Sequence, residues 1–192
     1  MPDPTLFKPL TLRELTLSHR GWVSPMCQYS CDAEQAPGVP NDWHLVHLGS
    51  FATGGAALII AESTAVNPQG RISPQDTGLW NDTQTAAWQR ITHFVHRHSH
   101  NTKIGVQIGH AGRKGATYAP TTGPDGTVPV SAGGWQTLAP TDAAFGLYAA
   151  PVAMTAEQIH AVIEDFAGAA ARAVAAGFDL IELHGAHGYL VD

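Results

Sequence analysis

The stretch FDLIELHGAHGYL, residues 178–190, places two imidazoles three residues apart, His184 and His187, and a phenol, Tyr189, two residues further on. All three follow directly on an apolar run of strand character. Two imidazole N–H donors directed at one carbonyl oxygen, with a phenol beside them, make an electrophilic clamp plus a proton donor. The same histidines also read as strand caps bonded to backbone. A third reading makes them metal ligands, although the H-E-x-x-H spacing is absent and no acidic cluster follows.

Other reactive side chains follow other short apolar runs. Trp22-Val23 leads into Ser24, Pro25, Met26 and Cys27, with Tyr29 close behind. Ala57–Ala61 leads into Glu62 and Ser63, while Ile104–Ile108 contains Gln107 and leads into His110, Arg113 and Lys114. Cys27 taken alone reads as a small buried hydrophobe at least as readily as a thiol facing a ligand. Pro25 has no N–H, so the chain can turn there and offer neighbouring backbone groups to a ligand. A G-x-S-x-G elbow, a Walker loop and a G-x-G-x-x-G after the first strand are all absent.

The elements that must position these residues are four buried strands alternating with amphipathic stretches, the pattern of βα units around a parallel sheet. In such a fold the carboxyl ends of the strands converge, so residues distant in sequence share one site. The clearest helix carries Ile159, Val162, Ile163, Phe166, Ala169 and Ala173 at three-and-four spacing, with Thr155 and Gln158 as a capping box and Gly177 as its stop. A second helix is predicted from Thr83 to about His98 and a shorter one from Trp43 to about Phe51. Residues 115–153, rich in Pro, Gly, Thr and Ala, form a long loop after the third strand, on the side where α/β enzymes hold their active sites.

The chain has 192 residues, 44% of them hydrophobic, enough for a substantial core. A net charge of -6 with only 10 Lys+Arg gives no basic stripe, which argues against nucleic acid as a partner. Lys8, Arg13, Glu14 and Arg20 break up the first thirty residues, so neither a signal peptide nor a membrane span is expected there, and a cytoplasmic location is. Cys27 and Cys31, the only cysteines, cannot build a disulfide framework, and alone they fall short of the roughly four ligands of a structural zinc site.

In order and spacing, SPMCQYS at 24–30, NPQGRIS at 67–73, GVQIGHAGRK at 105–114 and FDLIELHGAHGYL at 178–190 resemble the Old Yellow Enzyme family of FMN-dependent ene-reductases. The likeness runs from Leu6 to Leu190 and is nearest to the branch of bacterial NADPH dehydrogenases and xenobiotic reductases with a cysteine beside the flavin. It implies an α/β fold of the TIM (β/α)8-barrel family, FMN as cofactor, NADPH or NADH as reductant and an α,β-unsaturated carbonyl substrate. By the same resemblance Ser24, Pro25, Met26 and Cys27 line the flavin, Ser63 stands at a flavin contact often occupied by alanine, and Gln107 bonds the pyrimidine side of the ring. His184 and His187 hold the substrate carbonyl, Tyr29 helps to position it, and Tyr189 protonates the α-carbon while flavin N5 delivers hydride to the β-carbon.

A complete barrel needs about 250 residues. The resemblance therefore implies that residues 1–192 are an N-terminal half covering about the first four βα units, a partial barrel. The phosphate-binding loops and the basic residues facing the flavin belong to the second half. Two parallel edges without partners then lead to the expectation of a truncated, non-catalytic remnant, a half complementing a C-terminal half, or a homo-oligomer. A metal-dependent TIM-barrel hydrolase using His184 and His187 is the remaining alternative.

Overall fold

The computed structural model describes residues 4–120 and 122–192; Met1–Asp3 and Thr121, the latter inside the 115–153 loop, lie outside the described residues. A hairpin of β1 (Leu10–Leu12) and β2 (Leu15–Leu17) comes first. It is followed by β3 (Trp22–Val23), α1 (Asp42–Thr53), β4 (Leu58–Ala65), α2 (Asp82–His98) and β5 (Lys103–Gly109). After the long connection, which carries β6 (Leu138–Ala139) and β7 (Val152–Ala153), come α3 (Ala156–Ala175) and β8 (Leu180–Leu183).

Four strands form one parallel sheet in the order β3-β4-β5-β8. Neighbours in the sheet are successive barrel strands, so each helical crossover steps the same way and the three helices share one face. A doubly wound sheet would reverse its order and cover both faces. Alternation along β4 separates two cores. Ile59 and Ala61 point outward into the layer with Trp88 and Val95 of α2 and Ala169 and Ala173 of α3. Leu58 and Ile60 point the other way, against Leu17 of the hairpin and Leu180 of β8. The hairpin thus fills the inner face of a curved wall, with Leu17 fully buried.

The helix signals in the sequence act where expected. Thr155 Oγ1 accepts from the Gln158 N–H (3.3 Å) and Gln158 Oε1 accepts from the Thr155 N–H (2.9 Å). Gly177 ends the helix at φ +85°, the left-handed conformation that glycine adopts without strain. Asn81 and Asn41 cap α2 and α1, so each begins one residue earlier than its apolar pattern suggests.

One expectation is corrected. Glu62 and Ser63 do not follow a strand that ends at Ala61; β4 continues to Ala65 because β5 keeps pairing with it, Thr64 opposite Ile108 and Ala65 opposite Gly109. The register shifts between Ala61 and Ser63, which leaves Glu62 as a bulge residue. Within the long 115–153 connection β6 and β7 pair in parallel, and Met154 N–H donates to Ala139 O (2.9 Å), tying the two ends of a loop just before α3.

Trp88 is the largest fully buried side chain; it donates from Nε1 to Gly78 O (3.2 Å) and meets Phe178 edge-on at 5.4 Å. Trp88→Ala is expected to cost about 3–5 kcal/mol in urea unfolding, from lost transfer energy and the cavity left behind.

Candidate active site

The carboxyl ends of β3, β4, β5 and β8 meet at one mouth of the curved sheet. Ser63 is in register with Gln107, and Gln107 with Glu182. A Cβ added to Gly109 would lie 3.2 Å from His184 Cβ and 3.3 Å from Ser63 Oγ, so three strand ends touch across this glycine. Gln107 is buried and donates from Nε2 to Glu182 Oε1 (2.6 Å), which leaves its carbonyl oxygen to accept.

Cys27 lies on the segment that leaves β3 beyond Ser24, Pro25 and the half-exposed Met26. Tyr29 and the backbone of Ser63 lie close to its thiol. Burial first, then the carboxyls of Asp76 and Glu62, push the thiol up to about 12, so Cys27 is neutral at physiological pH. Burial raises Tyr29 as well. Tyr29 holds φ 51° and His187 φ 64°, left-handed values that non-glycine residues adopt at a cost. Both belong to this mouth.

His184 extends the sheet, donating its N–H to Ile108 O (3.0 Å), and is almost wholly buried. Its ring lies 5.1 Å from that of His187 and 5.0 Å from that of Tyr189, while His187 and Tyr189 stand 6.3 Å apart, all edge to face. Burial, then the neighbouring His187, hold His184 below the usual histidine range, so at neutral pH it is a neutral N–H donor. Burial, then the Cys27 and Asp76 charges, push Tyr189 up to about 12 and keep the phenol protonated. Lys114 Nζ donates to His187 O (2.6 Å) and lies 5.2 Å over the Tyr189 ring and 4.4 Å over Phe145, fixing the turn that presents them. Arg113 also lies over Phe145, at 5.9 Å.

Of the other candidates, His110 is buried below this mouth, where Nδ1 accepts from the Gly112 N–H (3.1 Å) and Gly70 packs against the ring. It is structural. Among the described residues no group of three or more His, Cys, Asp or Glu side chains comes together to hold a metal.

Three residues not singled out in the sequence support the site. Asp76, fully buried, accepts from Ser73 Oγ and the Ile72 N–H, each at 2.7 Å. His44, at the start of α1, faces Glu62. Glu182 holds Gln107, and its sequence signal was a charge inside an apolar strand.

Glu62 sets a pH dependence. Its folded pKa is raised to about 8, chiefly by burial, above the ordinary 4.5. The stability it contributes is therefore complete below about pH 4.5 and is lost as pH rises through about 8. Asp76, raised to about 6, has finished titrating by then, and the depressed histidines His44 and His110, at about 4, contribute fully above pH 6.5. As pH rises toward 8, beyond the range where the histidines titrate in the unfolded chain, Glu62 should make the unfolding free energy fall. Thermal melts of wild type and Glu62→Gln check this: the variant is expected to flatten the slope.

A model of the NADH:flavin oxidoreductase / NADH oxidase family matches residues 5–192. The chain is 43% identical over 190 residues to an NADH:flavin oxidoreductase of Gibberella zeae, covering 97% of this chain and 45% of that protein. It is 41% identical over 187 residues to an NADPH dehydrogenase of Bacillus subtilis, covering 97% and 49% respectively. Among solved structures it superposes on a morphinone reductase with a TM-score of 0.78 at 30% identity, covering 97% of this chain and 49% of that one. On an Old Yellow Enzyme from Pichia sp. AKU4542 the TM-score is 0.80 at 28% identity, covering 98% and 47%. The chain spans about half the length of the relatives it matches, and its four parallel strands are part of a TIM barrel. No described helix is long and apolar enough to cross a membrane.

Proposed function

The chain belongs to the NADH:flavin oxidoreductase / NADH oxidase family, and from that premise we propose that it forms the substrate-facing half of an FMN-dependent, NAD(P)H-driven ene-reductase acting on α,β-unsaturated carbonyl compounds. The observation that carries this reading is the meeting of two imidazoles and a protonated phenol, His184, His187 and Tyr189, with Cys27, Ser63 and Gln107 at one mouth.

The residues fit the ring portion of a flavin. Gln107 offers a carbonyl oxygen beside the Ser63 hydroxyl, suited to the pyrimidine edge, and Cys27 presents an uncharged thiol. For the phosphate this half offers little, since both basic residues near the mouth, Arg113 and Lys114, lie over Phe145. Bound FMN, reduced by NADPH or NADH, supplies the hydride. His184 and His187 donate N–H groups to the substrate carbonyl oxygen and draw electron density from the β-carbon, Tyr29 orients the substrate, and Tyr189 delivers the proton to the α-carbon.

The edge of β8 is where the rest of a barrel would pair. Leu183 there is exposed, Ile159 and Ile163 of α3 are exposed beside it, and an apolar hollow of about 420 Å³ lies between them and Val191. A second reading, resting on the coverage of about half the relatives' length, is a half that binds flavin but does not turn over by itself. Titration with FMN, read by quenching of flavin fluorescence, followed by an NADPH-dependent enone assay, tests both. Flavin binding with turnover supports the enzyme; flavin binding without turnover favours the second reading; no flavin binding with the second half-barrel present would overturn the assignment.

A further inference from the structure

We infer that Glu62, steadied by His44, is a positioning residue that fixes the peptide after Cys27 and thereby aims the Cys27 thiol into the mouth. The bulge in β4 is the structural cause. Ala61 pairs with Val106 and Ser63 with Gln107, so the extra residue, Glu62, is free to turn away from the position Ser63 takes. Its side chain, 4% exposed, bridges two other elements. Oε2 accepts from the Gln28 backbone N–H at 2.9 Å, and Oε1 faces His44 Nε2 on α1 at 3.4 Å.

Gln28 is held at two further points: its Nε2 donates to Met26 O (2.8 Å) and its Oε1 accepts from Trp43 Nε1 (3.1 Å). Cys27 lies between Met26 and Gln28. The residue after Glu62, Ser63, has its backbone close to the thiol. One carboxyl and its successor therefore flank the chain that carries the sulfur, and the carboxyl anchors it. The titratable groups around Glu62 are His44 from α1, Asp76 from the segment after β4, and Cys27 and Cys31 from the segment after β3.

His44 Nε2 packs 3.4 Å from Glu62 Oε1 without a hydrogen bond between them, so the Gln28 N–H is the hydrogen-bonded partner of the carboxyl. Glutamine at position 62 can keep an oxygen on the Gln28 N–H, whereas alanine cannot.

The inference rests on the proposed flavin site only for what the thiol faces. Alkylation reads the thiol directly and without flavin, so a failure here and a failure of the flavin assay are distinct results. The probe is iodoacetamide, with the Cys27 and Cys31 peptides quantified by mass spectrometry. The buried Cys31 is the internal control, because general unfolding exposes both thiols together. Glu62→Ala strands a backbone N–H and should raise the Cys27-to-Cys31 ratio about tenfold, while Glu62→Gln stays within about threefold of wild type. His44→Gln, which reaches the same link from α1, should raise the ratio about threefold and decides the matter together with Glu62→Gln if Glu62→Ala does not fold. A ratio unmoved in Glu62→Ala and His44→Gln, or shifted as far by Glu62→Gln as by Glu62→Ala, overturns the inference.

Discussion

Tyr189→Phe in the FMN-loaded protein should slow enone reduction about 10²–10⁴-fold, the range expected when a positioned general acid is removed. The substitution takes away one oxygen and leaves the ring. Phenylalanine keeps the edge-to-face contact with His184 at 5.0 Å and the face beneath Lys114 Nζ at 5.2 Å, so the turn from Ala186 to Leu190 should hold its shape. The phenol suits the role because burial and the Cys27 and Asp76 charges push it up to about 12, so that it carries its proton throughout the neutral range. Stopped-flow measurement separates the two half-reactions. Flavin reduction by NADPH is expected to match wild type, and reoxidation by enone to carry the whole loss. Reoxidation at the wild-type rate would move the proton donor elsewhere, with Tyr29, close to Cys27, the other candidate phenol.

The sequence made legible whatever depends on local pattern. The three helices and four barrel strands follow from apolar periodicity, with the Thr155 capping box and Gly177 bounding the last helix, because each signal acts within a few residues of itself. The β1–β2 hairpin was not legible. Its strands are three residues each and its turn uses Arg13 at φ 53° in place of the glycine or asparagine that usually marks such turns. The bulge at Glu62 was invisible for a different reason: it exists only through pairing with β5, which no window along β4 contains. The site divides in the same way. Cys27, His184 and Tyr189 stand out because they follow strands, whereas the link from Glu62 to His44 depends on how α1 is rotated against the sheet.

The same division bears on His184 and His187, which were legible as a pair although their unequal burial was not. His184 is 8% exposed and linked to the sheet through Ile108, while His187 is exposed at φ 64° with its carbonyl held by Lys114. Asparagine tolerates left-handed backbone better than most residues, so His187→Asn should leave the melting temperature unchanged and isolate the loss of the imidazole. His184→Asn removes a buried ring packed against Tyr189 and should lower stability as well as rate. Each loss of a donor aimed at developing charge is expected to cost about 10²–10³-fold in enone reduction. The double variant should cost less than the product of the two, because both donors act on one oxygen. Binding of the enone should weaken alongside, with flavin reduction by NADPH much less affected. The alternative of strand caps makes the opposite forecast for His187→Asn, namely no change in rate, and a wild-type rate for that variant in folded, flavin-loaded protein would remove His187 from the clamp.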